Sequence, residues 1–264
     1  MNAHRTALVS DIHGHYAGLL AVLDDARAAG CGRVLCLGDL VDGGDRDEEV
    51  VRYLRDHHIP TVRGNHDETP GVTLAGDVEA YLRDLPAEIR EGDVLYTHIS
   101  PRRKKAKILD VFEAWNVFSE TDARLIFVGH AHIPLLFGEW SGHACQATEY
   151  PLISNVPLVL DAGDRYIVCV GAVGYSRDGI AKPRYAIYDA RAGTVESRAV
   201  DAPTLRLGLR VRGRRDPRPR PLPTPIKPSQ AGEGSGEVGR VKEKRAQQAA
   251  LLQMFLSGSP IIGG

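Results

Sequence analysis

Short apolar runs alternate with helix-spaced apolar positions along the first part of the chain. Ala7-Leu8-Val9 is a compact apolar run that breaks into a polar stretch, Ser10 to His15. Leu19, Leu20, Val22, Leu23 and Ala26 then recur at helical spacing until Gly30, which predicts a helix closed by glycine. Val34 to Leu37 predicts a second buried strand, ending in Gly38-Asp39. A second helix is predicted over 47–57 with Val50, Val51 and Leu54 inward, and a third strand over Ile59 to Val62. Two strand–helix–strand units in succession require parallel pairing, because the crossover returns the chain to the same edge. Val94-Leu95-Tyr96 and Leu125-Ile126-Phe127-Val128 predict further strands. Beyond residue 157 the pattern turns β-rich, at Leu158–Leu160, Tyr166–Val170, Tyr185–Tyr188 and Thr194–Arg198, and predicts a second sheet packed on the first. No internal repeat is present.

Composition changes that picture at residue 202. The 264 residues carry 33 Lys+Arg against 34 Asp+Glu, but residues 1–202 hold 21 bases and 30 acids, and residues 203–264 hold 12 bases and 4 acids. Half of the 16 prolines lie in that last segment, with Pro217, Pro219, Pro221, Pro223 and Pro225 alternating. Such spacing favours extended polyproline II, and so few apolar side chains cannot offset the entropy of ordering. Residues 203–236 are therefore expected to be a disordered linker, and Val241, Ala246, Ala249, Leu252 and Leu256 to mark a short amphipathic helix within 237–264. Seven arginines from Arg206 to Arg220 leave two readings, a solvated spacer or a salt-sensitive contact to nucleic acid, of which the spacer is favoured.

No run of about 18 apolar residues exists, so no transmembrane helix or other membrane association is expected, and the N-terminus does not read as a signal peptide. Cys31, Cys36, Cys145 and Cys169 form no CxxC pair. They are expected to be reduced, small buried residues in a cytoplasmic protein.

One event repeats. Five apolar strands each end in a loop bearing Asp, Asn or His: Asp11 and His13, Asp39, Asn65, His98, and His130 with His132, separated by gaps of 26 to 33 residues from loop to loop. In open α/β sheets functional groups gather at the carboxyl ends of strands. Four imidazoles, two carboxylates and an amide suit divalent ions such as zinc, iron or manganese. Seven ligands exceed one four-coordinate metal and match two metals sharing a carboxylate, an arrangement that clamps both oxygens of an in-line phosphoryl displacement. The absence of cysteine argues against a structural zinc site.

Asp11-Ile12-His13, Gly38-Asp39-Leu40-Val41-Asp42, Gly64-Asn65-His66-Asp67, the isolated His98, and Gly129-His130-Ala131-His132 resemble, in order, the five blocks of the calcineurin-like metallophosphoesterases. Val173-Gly174-Tyr175-Ser176-Arg177-Asp178-Gly179 resembles a loop of the small uncapped bacterial branch, so the likeness spans about residues 1–200. The resemblance implies an α/β fold, a four-layer α/β/β/α sandwich of two mixed sheets, and hydrolysis of a phosphodiester or phosphomonoester such as a nucleotide. It implies two divalent ions, manganese in the first place, with iron, zinc or nickel as alternatives. Asp11, His13 and His132 would hold the first, Asn65, His98 and His130 the second, and Asp39 would bridge them. A hydroxide bridging the ions would attack, with His66 as the acid and Asp67 orienting it.

The chain departs from the phosphoprotein phosphatase branch, with Gly43-Gly44 where that branch has Arg and Asp67 where it has Glu. Arg63 remains as a phosphate clamp there, His15 either caps the first helix or touches substrate, and Arg177 is a further substrate contact. Asp42 is expected to support its loop. Gly38, Gly64 and Gly129 are read as turns that need glycine's backbone freedom. Arg102, Arg103, Lys104, Lys105 and Lys107 follow His98 and are either a solvated turn or a lure for anionic substrate. His4, His57, His58 and His143 are expected on the surface. A serine/threonine phosphoprotein phosphatase, a nuclease using the basic tail, and a non-catalytic scaffold stand as alternatives to the small phosphate ester, and the sequence leaves the oligomeric state open.

Overall fold

A computed structural model describes residues 2–205. The amphipathic segment expected within 237–264, and the linker expected over 203–236 apart from residues 203–205, lie outside the described residues. Within them the chain forms β1 (Asn2–Val9), α1 (Tyr16–Ala28), β2 (Cys31–Cys36), α2 (Asp47–Asp56), α3 (Asn65–Glu68), α4 (Gly76–Asp84), β3 (Glu88–Glu91), β4 (Val94–Thr97), α5 (Val111–Glu120), β5 (Leu125–Val128), β6 (Pro134–Gly138), β7 (Thr148–Tyr150), β8 (Leu158–Val159), β9 (Tyr166–Val170), β10 (Arg184–Asp189) and β11 (Thr194–Ala199).

Two mixed sheets result, one in the order β2-β1-β10-β11-β8 and the other in the order β3-β4-β5-β9-β6-β7. Alternation along the strands sorts side chains into three apolar interfaces. Leu8, Leu35, Leu125, Phe127, Val168 and Tyr188 fill the space between the sheets. Ala7, Val9, Tyr185 and Ile187 point the other way, against Leu19, Val22, Val50 and Leu54 of α1 and α2. Leu95, Ile126, Val128 and Ile167 face Ala114, Val117 and Phe118 of α5. Three interfaces make four layers, α/β/β/α, because each residue step along a strand reverses the side-chain direction.

The β1–β2 and β4–β5 pairs are parallel, as the crossovers require. Two expectations are corrected. The late strands do not form a second sheet of their own: β10, β11 and β8 extend the sheet of β1 and β2, while β9 inserts beside β5. The predicted strand Ile59–Val62 is reduced to one parallel bridge, Cys36 to Thr61. Pro60 has no N–H to extend that ladder, and the Arg63 N–H turns away to the Pro86 carbonyl. Cys31, Cys36 and Cys169 are buried free thiols as expected, but Cys145 is exposed, in the loop between β6 and β7. His4, His57, His58 and His143 are all exposed.

Candidate metal centre

The carboxyl ends of β1 and β2 in one sheet, and of β4 and β5 in the other, open onto the same point between the sheets. Asp11 and His13 follow β1, Asp39 follows β2, His98 follows β4, and His130 and His132 follow β5. One donor atom each from Asp11, His13, Asp39 and His132 lies within 4.8 Å of the others, and the same is true of Asp39, His98 and His130. Asp39 belongs to both sets. Its Oδ2 is 3.1 Å from His98 Nε2 and 3.8 Å from His13 Nε2, while His132 Nε2 is 3.1 Å from Asp11 Oδ1.

The backbone is strained where the ligands stand. Asp11, His13, Asp39, His130 and His132 all adopt positive φ, between 51° and 63°. A non-glycine residue held in this region costs of order 1–3 kcal/mol and persists only where surrounding structure enforces it. The enforcement is a lattice of backbone bonds: Asp11 N–H to Gly38 O, Ile12 and His13 N–H to Asp39 O, and Gly174 N–H to Asp11 O. Of the three glycines read as permissive turns, only Gly38 has positive φ, at 89°. Gly64 and Gly129 serve close approach instead. A Cβ at Gly64 would strike the Asp39 carboxylate, and one at Gly129 would strike Ser10 Oγ and Asp11 Oδ2.

The imidazoles are aimed from behind. The Nδ1 of His13, His98 and His132 meets the carbonyls of Val41 at 2.9 Å, Leu37 at 2.7 Å and Tyr175 at 2.9 Å, so each Nε2 is turned into the cluster. A bond of this kind fixes ring orientation and tautomer in metal-binding histidines. His98 Nε2 is fully buried and has no aligned hydrogen-bond partner, although Asp39 is close. Two groups that face a common point rather than each other are arranged for a cation between them, and the donor set of imidazole and carboxylate fits a divalent metal ion.

Electrostatics point the same way. Burial pushes the Asp11 and Asp39 carboxyls up, but the neighbouring histidines outweigh it and hold both below the usual carboxylate range. Burial likewise opposes charge on His98, yet the carboxylates of Asp39 and Asp11 raise it to about 9. Burial and the His98 charge drive His130 down to about 4. The surroundings thus favour the ionised form of both carboxylates despite their burial.

Asn65 opens α3, and the next N–H, of His66, donates to Asp39 Oδ1 at 2.9 Å. His66 stands at the mouth, its side chain 40% exposed and its ring edge-on to His13 at 5.1 Å. The expected partner of His66 is corrected here. Its Nδ1 is 2.9 Å from Asp42 Oδ2, whereas the buried Asp67 accepts the backbone N–H groups of Asp39, Leu40 and Gly64. Asp67 therefore braces the Asp39 loop, with burial lifting its carboxyl to about 6. Asp42 also accepts the Gly71 N–H, so it supports a loop as expected and orients His66 as well.

Two expected substrate contacts have partners within the protein. Arg63 donates to the Arg83 carbonyl at the end of α4. His15 occupies the position before α1 without a side-chain cap bond, its Nδ1 3.4 Å from Val173 O. Arg102 of the basic turn is clamped by Glu113 and Glu120. Tyr175, unflagged by spacing, packs its ring on His13 at 5.0 Å and on His132 at 4.5 Å, and Arg177 lies over it. Among the described residues no helix is long and apolar enough to cross a membrane.

The model of the calcineurin-like phosphoesterase superfamily domain matches residues 5–193. An uncharacterized protein of Methanocaldococcus jannaschii is 31% identical over 217 residues, covering 72% of this chain and 84% of its own. The crystal structure of a metallophosphoesterase from Sphaerobacter thermophilus superposes with a TM-score of 0.68 at 30% identity, over 76% of this chain and 89% of that one. A hypothetical protein of Pyrococcus horikoshii shares the fold, with a TM-score of 0.52 at 15% identity over 77% and 89% of the two chains.

Proposed function

The chain belongs to the calcineurin-like phosphoesterase superfamily, hydrolases of phosphate esters, and from that premise we propose that it hydrolyses a small phosphodiester or phosphomonoester at a centre of two divalent cations. The observation that carries the reading is the sharing of Asp39 between two donor sets. Asp11, His13 and His132 complete one set, and His98 and His130 the other, with Asn65 as a further ligand of the second. Manganese is the cation we assign. When bound, the pair of cations supplies hydroxide near neutral pH and offsets the charge of the phosphoryl oxygens. The name of the Sphaerobacter relative, a metallophosphoesterase, supports the same reading.

The chain's own residues do the rest. Carbonyls behind His13, His98 and His132 keep each Nε2 directed at the centre. His66 is the acid: Asp42 accepts its Nδ1–H, which leaves Nε2 to carry a proton to the departing oxygen at the mouth. Half exposure lets solvent return that proton.

The test is a metal titration followed by a substrate panel with manganese: a bis-aryl phosphodiester, an aryl monophosphate, nucleotides, a phosphopeptide and an RNA. Stoichiometric uptake of two cations with turnover of the small esters is expected. Full metal loading with no turnover of any ester would refute the assignment, and turnover of the phosphopeptide or RNA alone would redirect it.

A further inference from the structure

Tyr175, Ser176 and Arg177 lie on the connection from β9 to β10, and this connection is laced to the metal centre. His132 Nδ1 meets the Tyr175 carbonyl, the Arg177 N–H donates to the His132 carbonyl at 3.0 Å, and Ser176 Oγ lies 3.3 Å from the same carbonyl. The Tyr175 ring packs against both His13 and His132. Over that ring stands the Arg177 guanidinium, its Cζ 5.7 Å from the ring centroid. The phenol itself is pushed up by burial, with the Arg177 charge beside it pulling the other way.

Arg177 is exposed, and among the described residues no carboxylate lies within ion-pair distance of it. The obvious counter-ion is the next residue, Asp178, and it is occupied. Its Oδ2 is 2.6 Å from Arg184 Nη2 and 2.7 Å from Arg184 Nε, and its Oδ1 accepts from Ser176 Oγ and the Ile180 N–H. Arg184 is buried, and it also donates to Ser154 Oγ. One arginine is thus spent on removing the aspartate that would neutralise the other. What remains, among the described residues, is a guanidinium with no carboxylate partner, held by Tyr175, whose ring rests on His13 and His132.

We propose that Arg177, supported by Tyr175, binds a second phosphate group of the substrate, beyond the one being hydrolysed. A planar guanidinium presents paired donors that match phosphate oxygens, and its charge is strongest in effect where no protein carboxylate competes. Its place over the ring that touches His13 and His132 suits a phosphate next to the reacting one. The substrate class is accordingly a compound with two linked phosphates, such as a nucleoside diphosphate, in which water would attack the terminal phosphorus, the phosphoanhydride P–O bond would break, and the nucleoside monophosphate would leave with the proton supplied to its oxygen. This rests on the phosphoesterase reading above.

The experiment compares the full-length protein with Arg177→Ala, Arg177→Lys and Tyr175→Ala, each loaded with manganese and checked for metal content by mass spectrometry. The readout is the ratio of kcat/KM for adenosine diphosphate over that for an aryl monophosphate. Arg177→Ala should lower this ratio about 10- to 100-fold, chiefly through KM, the scale of losing hydrogen bonds to a charged group. Arg177→Lys should recover part of it as a point charge, and Tyr175→Ala should lower it in the same direction at full metal content. Calorimetric binding of inorganic pyrophosphate separates the two levels of failure. If the parent protein turns over no ester of the panel above, the proposed function fails; if it turns over the diester alone, the pyrophosphate affinity decides for or against Arg177. If Arg177→Ala leaves both the ratio and the pyrophosphate affinity within twofold of the parent, the Arg177 assignment is overturned.

Discussion

The metal centre and the Asp25 cluster on the helical side of the first sheet are both built from charged and polar side chains drawn from distant parts of the chain. They are finished differently. At Asp25 the donors of Arg198 and Tyr185 meet acceptors: Arg198 reaches both carboxylate oxygens at 3.0 Å, Tyr185 donates to Oδ2 at 2.7 Å, and Glu196 takes the other side of Arg198 at 2.9 Å. At the metal centre Asp11 and Asp39 face inward with imidazole nitrogens around them, His98 Nε2 has no aligned partner, and five of the residues hold a strained backbone. A closed network of this kind is architecture. One in which buried carboxylates and imidazoles converge at a cost in strain has the donor set of a divalent cation site.

Substitutions sharpen the contrast, and the largest effect belongs to the shared carboxylate. In the parent protein, cations at a hundredfold excess over their dissociation constant contribute ~2.7 kcal/mol per site, or roughly 5–10 °C in Tm for a domain of this size. Asp39→Ala should abolish that metal-dependent rise and turnover together, as read by calorimetry with and without chelator. A metal-dependent rise that survives Asp39→Ala would show that the two donor sets do not share a ligand.

His66→Ala should come next, lowering kcat by roughly 10²–10⁴ with metal content intact. Asp42→Asn should follow in the same direction, while Asp67→Asn acts on stability and metal retention through the Asp39 loop. Normal turnover in Asp42→Asn would remove it as the partner of His66.

At the closed network the expected effect is on folding alone. Asp25→Ala leaves Tyr185 and Arg198 without their acceptor and should cost about 1–3 kcal/mol, read as a lower Tm, with metal content and kcat unchanged. Any loss of bound metal there would break the distinction between the two regions.

The smallest effect is a pH dependence. Asp47, at the start of α2, is pushed up to about 6 by burial, with Asp42 and Asp45 adding to it. Its unfolded value is about 3.9, so the folded state holds the proton more tightly, and this group's contribution falls as pH rises from about 4 to 6. Asp47→Asn should therefore be the more stable protein above pH ~6, with the difference closing below pH ~4. Thermal melts at the two ends of that window test the sign.

Much of this was legible in the chain, and the gaps are instructive. The strand-end residues stood out because an apolar run followed by Asp or His recurs at crossover spacing. α5 carried a readable signal, since Asp110 caps it by accepting from Phe112 and Glu113 and since Ala114, Val117 and Phe118 recur at helical spacing. The partner of His66 carried none: Asp67 is adjacent in sequence, yet its carboxylate turns to three backbone N–H groups, and Asp42, 24 residues away, takes the ring. Tyr175 read as one half-apolar residue in a loop until its ring was placed on two histidines.

By itself the sequence determined the strands that carry the candidate ligands Asp11, Asp39, His98 and His130 and where those strands end, because period and composition are local properties, while β3, β6 and β7 gave no such signal. The tertiary structure alone decided that β9 joins the sheet of β5 while β10 joins that of β1, so that the loop between them spans both sheets and brings Tyr175 and Arg177 against the centre. It also decided which carboxylate stands beside which imidazole, Asp39 by His98 and Asp11 by His132. Those choices depend on side-chain direction after packing, and direction is set by neighbours up to 173 residues apart, as in Arg198 and Asp25.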